Sequence, residues 1–439
     1  MEKTTELIFG LPPIVGFFPL VLYIILAFRK DIHPVVNVII SVLIGAIIVK
    51  QPILGLGAVV AQSLSSFLGL VGLIIMLGSG MAGILKKSGV AENLVNIMMR
   101  KIGVNTPERA VVATMVTSCV MSLLLGTLTG GNAVITPIVI PLLAAINMTP
   151  STLAAIIQSA GVTGLFIGPY TPPMVTVMGI TGLSYFEVLF YTGLPVSIIM
   201  WIVTYFFALH TQKKTAGIYS FSADIKTPEE NYKPSGKTVR ATWGFCISMV
   251  LMVVYGVYNK GGSSYALMVL ATVSVVTGFA AGYNASQIFQ EVMEGCGKFV
   301  WVFVMFILFD PFLAFVEKSG AFQALVDYMN PLIQSSGKLG FTLFSAAVGT
   351  WGINGAAVAQ AMMIDKIFRP TIIELSLNMK LWSLIVLVGS QMTSFAYPGL
   401  DMVANMGMAH SHDLKSQMKL GYIIIVTVFI LCAVAAFIY

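Results

Sequence analysis

Two runs of glycine, hydroxyl and amide residues interrupt apolar sequence that is otherwise long enough to cross a lipid bilayer, and the two are related. Gly126-Thr127-Leu128-Thr129-Gly130-Gly131-Asn132-Ala133 is loosely echoed by Gly349-Thr350-Trp351-Gly352-Ile353-Asn354-Gly355-Ala356, 223 positions later. A neighbouring pair, Ser88–Met98 and Ser319–Met329, repeats at an offset of 231. A helix needs about 20 apolar residues to span a hydrocarbon core ~30 Å thick. Lipid offers no partner for free N–H and C=O groups, so non-helical backbone at that depth must be enclosed by protein or line a wet cavity. A duplicated membrane unit with gaps at matching places therefore leaves few folds open.

The rest of the chain agrees. It is 57% hydrophobic and 10% charged, outside the range of soluble domains. The net charge of +6 comes from basic residues in loops between apolar runs, a pattern suited to acidic lipid headgroups and not to nucleic acid. The four cysteines are far apart, have no metal-ligand spacing, and read as packing residues.

The expected fold is an all-α polytopic membrane protein with two inverted repeats. It has about ten membrane helices, at 9–28, 34–50, 66–86, 151–181, 184–209, 241–258, 263–282, 298–316, 371–408 and 417–438. Those at 151–181 and 371–408 are broken in mid-membrane. Stretches 108–147 and 339–369 are each split by a glycine motif and read as re-entrant hairpins. The domain division is a first repeat over 1–209, a cytoplasmic linker over 210–240 and a second repeat over 241–439. With this layout 16 of the 24 Lys and Arg residues fall on the cytoplasmic side, in line with the positive-inside bias.

The gaps are the candidate site. Thr127, Thr129, Gly130, Gly131 and Asn132 at the first tip combine exposed backbone with side-chain oxygens that suit Na⁺, and a helix N-terminus that suits an anion. Thr350, Gly352 and Asn354 form the second tip. The helix break at 164–173 holds three prolines, which remove donors and clash with the preceding turn, and it places Pro169 and Thr171 at the gap. Its counterpart at 389–399 contributes Thr393 and Ser394. Asp310 is an acid in apolar surroundings, which makes a proton or cation role its default reading, and Asp401, which follows the second break, is the secondary candidate for a cation site there.

The run from Gly161 to Ile199 resembles the membrane permease subunit of tripartite ATP-independent periplasmic carriers. More broadly it is similar to an ion transporter superfamily that includes divalent-anion/sodium symporters and lactate-permease-like and NhaC-like proteins. The matching residues are Gly164-Leu165-x-Ile167-x-Pro169-x-x-Pro172, Gly179-x-Thr181-x-x-Ser184 and Leu189-Phe190-x-x-Gly193-Leu194-Pro195. The resemblance implies two inverted repeats, an elevator-like movement, a scaffold that dimerises, and Na⁺ and substrate at the hairpin tips and helix breaks.

The resulting expectation is a secondary transporter in a bacterial-type inner membrane that moves a small organic anion, a carboxylate by preference, coupled to Na⁺ or H⁺. A Na⁺/H⁺ antiporter on the same fold is the alternative, and a permease that depends on a soluble binding protein is a third. No nucleophile–base set or metal cluster points to an enzyme, and no cofactor beyond Na⁺ as coupling ion is expected.

Overall fold

The structure, a computed structural model, describes residues 7–27, 29, 32–222, 232–259, 261–352 and 357–439, with backbone alone at 329–330 and 332–336. Regular structure among the described residues is helical throughout. Two short 3₁₀ turns around Pro12 and Pro13 lead into α1 (Phe18–Ala27), so the first helix is shorter than the expected 9–28. There follow α2 (Pro34–Ile48), α3 (Ile53–Ser63), α4 (Phe67–Lys87), α5 (Val90–Ile102), α6 (Pro107–Leu125), α7 (Leu128–Ala145), α8 (Pro150–Ile167) and α9 (Pro172–Thr181). Then α10 (Tyr185–Val188) runs through a π turn into α11 (Leu194–Thr215).

After residues 216–235 comes a similar series: α12 (Gly236–Tyr258), α13 (Tyr265–Ala280), α14 (Ala285–Gly297), α15 (Val300–Lys318), α16 (Ala321–Thr350), α17 (Ala357–Glu374), α18 (Met379–Gln391), α19 (Thr393–Ala396), α20 (Leu400–Met408) and α21 (Leu414–Ile438). Eight of the described helical segments are long and apolar enough to cross a membrane, and further apolar helices are shorter. The protein is a polytopic, all-helical membrane protein.

The echoed Ser-Gly motifs build the same turn twice. Ser88 N–H returns to Ile84 O at the end of α4, and Ser319 N–H to Phe315 O at the end of α15. Gly89 (φ +73°) and Gly320 (φ +77°) then take the left-handed conformation that redirects the chain into α5 and α16. Where α5 and α6 are separate helices, α16 is one element with a non-helical residue at Gly337.

Packing between the two series is reciprocal. α14 packs on α4 as α3 packs on α15; α13 meets α4 as α2 meets α15; α20 meets α7 and α8 as α9 meets α17 and α18. One pair of polar contacts makes the correspondence atomic: Ser79 Oγ on α4 donates to Gly295 O (2.9 Å), and Ser63 Oγ donates to Asp310 Oδ2 on α15 (2.9 Å).

The core sits on α8, whose membrane-length window is 94% buried, against 28% for the peripheral α12. A helix apolar on every side must be surrounded by others. α8 starts at a Thr149 cap with Pro150 in the first turn, and meets α6 so closely that a Cβ on Gly164 would lie 2.1 Å from Cys119 O.

Three short helices, α3, α5 and α14, were not among the expected spans. The second broken helix begins at Met379 and not at 371: α17 runs on to Glu374, the chain turns through Ser376 (φ +47°), and Asn378 caps α18 by accepting from Lys380 N–H. The segment 371–374 thus belongs to the second hairpin.

Candidate functional site

The first expected hairpin turns at its glycine motif, and the last helix before the second motif ends at Thr350. α6 ends at Gly126, in the left-handed conformation, and α7 starts after Thr127. Thr127 occupies the N-cap position without a side-chain cap bond; a Cβ on Gly130 would meet its Oγ1 at 2.2 Å. Gly131 lies against Ser122, whose buried Oγ has no hydrogen-bond partner. Thr129 is half-buried beside them. At the second hairpin, Thr350 closes α16 with its Oγ1 buried and unpartnered, and Gly352 O accepts from the Tyr397 hydroxyl (2.5 Å). Asn354 lies outside the described residues.

Both broken helices have their gap where proline demands it. Between α8 and α9, residues 168–171 are non-helical, and Thr171 Oγ1 donates to Leu165 O and Gly168 O, satisfying carbonyls the break frees. Tyr185 OH donates to Ile167 O in the same place. Between α19 and α20 the gap is Tyr397–Gly399. Thr393 Oγ1 donates to Ser390 O, and the Ser394 side chain lies near the Asp401 carboxyl in the first turn of α20.

Each tip lies beside the break of its own series. A Cβ on Gly126 would be 3.9 Å from Pro172 Cδ, and Tyr397 reaches Gly352. A chain of side-chain amides then ties the two series together. Ser118 Oγ donates to Asn132 Oδ1 (2.7 Å); Asn132 Nδ2 donates to Ile157 O and to Asn405 Oδ1 (2.9 Å each). Asn405 Nδ2 donates to Gln158 Oε1 (2.6 Å), and Gln158 Nε2 to Ser394 O (3.1 Å). All four side chains are buried. The network therefore runs from the first hairpin through α8 to the backbone of Ser394 at the second break, whose side chain lies near Asp401.

Asn132, Ser394 and Asp401 are thus brought together among the expected residues, with Thr393 adjacent. Asp310 is placed elsewhere, with its described hydrogen bond on α3. Pro169 lines two cavities with Tyr170. One, of ≈ 30 Å³, lies between the first tip (Gly126), the first break (Pro172) and α4 (Gly78, Met81). The other is a cleft of ≈ 670 Å³ opening past residues 182–187 and 261–263.

Gln158, Asn405 and Gln360 were missed in the sequence. Gln360, near the described start of α17, donates to Gly349 O and to Gly389 O (3.0 Å), joining the two arms of its hairpin and the broken helix beside it. Asn132 does the same at the first hairpin through Ser118 and Ile157. The motif echo aligns Asn132 with Gly355 and Asn354 with Gly131, but the contacts pair Asn132 with Gln360. A lone amide in an apolar run was the signal available for all three.

A second polar cluster joins the series at the C-terminal end of α9. Arg369 Nη2 lies 2.6 Å from the Asp365 carboxylate and donates to Ile180 O (2.9 Å), while Trp382 Nε1 donates to Asp365 (2.8 Å). Ile180 lies in the last turn of α9, where a cation complements the helix dipole.

Residues 13–210, just under half of the chain, match the Na⁺/H⁺ antiporter family. Comparison with curated proteins gives no match. Two solved structures share the fold across nearly the whole chain, each at 14% identity. The YdaH transporter of Alcanivorax borkumensis has a TM-score of 0.61, over 96% of this chain and 97% of its own. MtrF of Neisseria gonorrhoeae, described as illuminating a class of antimetabolite efflux pumps, has a TM-score of 0.63, over 97% and 94%. The chain is thus similar to an ion-exchanging family in its first half and has the fold of two solved transporters throughout.

Proposed function

We propose that the protein is a secondary transporter exchanging Na⁺ for H⁺, with Asp401 as the group that binds each in turn. The observation that carries this reading is the composition of the network that ends at Ser394, beside Asp401. Its members offer amide and hydroxyl oxygens, and no basic side chain is described among them. A carboxylate in such surroundings suits a small cation or a proton, and the N-terminal dipole of α20 favours its ionised form, the form that accepts either. An anion needs N–H donors, and here both Asn132 amide hydrogens are committed to oxygens. The antiporter-family similarity of residues 13–210 points the same way, and the organic-anion reading has no comparable support.

The domain division belongs to this proposal: repeats over 1–209 and 241–439 joined by the linker 210–240, with reciprocal packing as its support. The hairpin tips lie beside breaks in the middle of broken helices, which fits re-entrant turns at the depth of the site. Alternate exposure of Asp401 to the two sides of a bacterial-type inner membrane then requires the network between Asn132, Asn405 and Gln158 to re-form as the halves move.

The test uses acid-loaded proteoliposomes containing this chain alone, with no organic solute. Added Na⁺ should collapse the pH gradient. A gradient indifferent to Na⁺, together with carboxylate uptake driven by Na⁺ or H⁺, would transfer the function to the organic-anion reading.

A further inference from the structure

We propose that the ≈ 670 Å³ cleft beside the first helix break is a binding site for an organic ammonium ion. Its size falls in the range of small-molecule sites, about 300–1,000 Å³. Its lining residues include Tyr170, Tyr185, Phe186, Met178 and Glu187, the one charged residue among the described lining residues. Aromatic faces grouped with a carboxylate recognise ammonium ions, which are attracted to ring quadrupoles. A small metal cation instead requires a shell of several oxygens, which a wall of rings and glycines does not supply.

The groups are held in place. Glu187 is fixed by a capping box in which Ser184 N–H (2.9 Å) and Ser184 Oγ (2.7 Å) both donate to Oε2, leaving Oε1 outside these bonds. The Tyr185 ring is anchored by its bond to Ile167 O, and Tyr170 packs against Tyr265 with centroids 6.0 Å apart. Lys380, the basic residue that bears on Glu187, has its Nζ 3.9 Å from the centroid of the Tyr191 ring and is not part of the cleft wall. The cleft shares Pro169 and Tyr170 with the small cavity at the first hairpin tip, so an occupant rests on one side of the break.

The experiment reads binding without any ion gradient, so it fails or succeeds independently of ion exchange. Purified protein in detergent is titrated with benzyltrimethylammonium or the neutral benzyl alcohol while Tm is followed. The ammonium should raise Tm saturably and the alcohol should not. Glu187→Gln preserves the capping box and should weaken binding at least tenfold; Ser263→Glu, which adds a carboxylate to the wall, should tighten it severalfold. Competition by short-chain phosphatidylcholine assigns the natural ammonium to a lipid headgroup, and its absence assigns it to a soluble amine. Equal responses to the ammonium and the alcohol, or unchanged affinity in both variants, would overturn the proposal.

Discussion

Asn132 on the first hairpin donates from Nδ2 to Asn405 Oδ1 at 2.9 Å, although 273 positions separate them. The same Nδ2 also reaches Ile157 O, and Asn132 Oδ1 accepts from Ser118. Truncating either amide leaves buried partners unsatisfied. Asn132→Ala should therefore lose about 2 kcal/mol of stability, and Asn405→Ala a similar amount. The double variant should lose less than the sum, with a coupling energy of roughly 1 kcal/mol. Denaturation of the four proteins in one detergent checks this; strict additivity would remove the link between the halves.

Asp401 and Asp310 should separate by function. Asp401→Asn should keep the fold, with Tm near that of the unaltered protein, and abolish Na⁺-dependent proton release. Asp310→Asn can still accept from Ser63 Oγ through its amide oxygen, and should retain exchange. Parallel Tm and transport measurements decide the matter. Loss of exchange in the second variant alone would move the coupling group to the α3–α15 contact.

Two glycine crossings should tolerate no added methyl. A Cβ on Gly164 would lie 2.1 Å from Cys119 O, and one on Gly349 would lie 2.6 Å from Gly389 Cα. Backbone is the obstacle in both cases, so side-chain repacking cannot relieve it. Gly164→Ala and Gly349→Ala should each destabilise by about 3 kcal/mol. A Tm within a degree of the unaltered protein would contradict this packing.

Arg369 holds Asp365 and the last turn of α9 together. Arg369→Met should cost about 1–2 kcal/mol, less than a fully buried pair because the guanidinium is partly exposed. Asp365→Leu with Arg369→Met should recover part of that loss, since no unpaired charge remains. Thermal unfolding of the single and double variants reads the difference.

The sequence carried the breaks clearly because proline and glycine act locally. Gly126, Pro169, Pro172 and Pro398 mark gaps where helical hydrogen bonding cannot continue, and each lies at or beside an observed interruption. The short helices α3, α5 and α14 were harder to see. α5 buries Val90, Ala91, Asn93, Val95 and Met99 while exposing Glu92, Arg100 and Lys101, so it reads as polar sequence beside the long apolar runs. Gln158 and Asn405 eluded motif reading for another reason: each is a single amide whose partner lies in the other half of the chain. Only the packing of α8 against α20 brings them within hydrogen-bond reach. The position of Asp310 against α3 was hidden similarly, because α3 itself was not expected.

Binding of ²²Na⁺ to detergent-purified protein, with proton release recorded in the same sample, tests the central claim most directly. The unaltered protein should bind Na⁺ and release protons as it does so, and Asp401→Asn should do neither. Na⁺ binding that releases no proton and persists in Asp401→Asn would contradict the account.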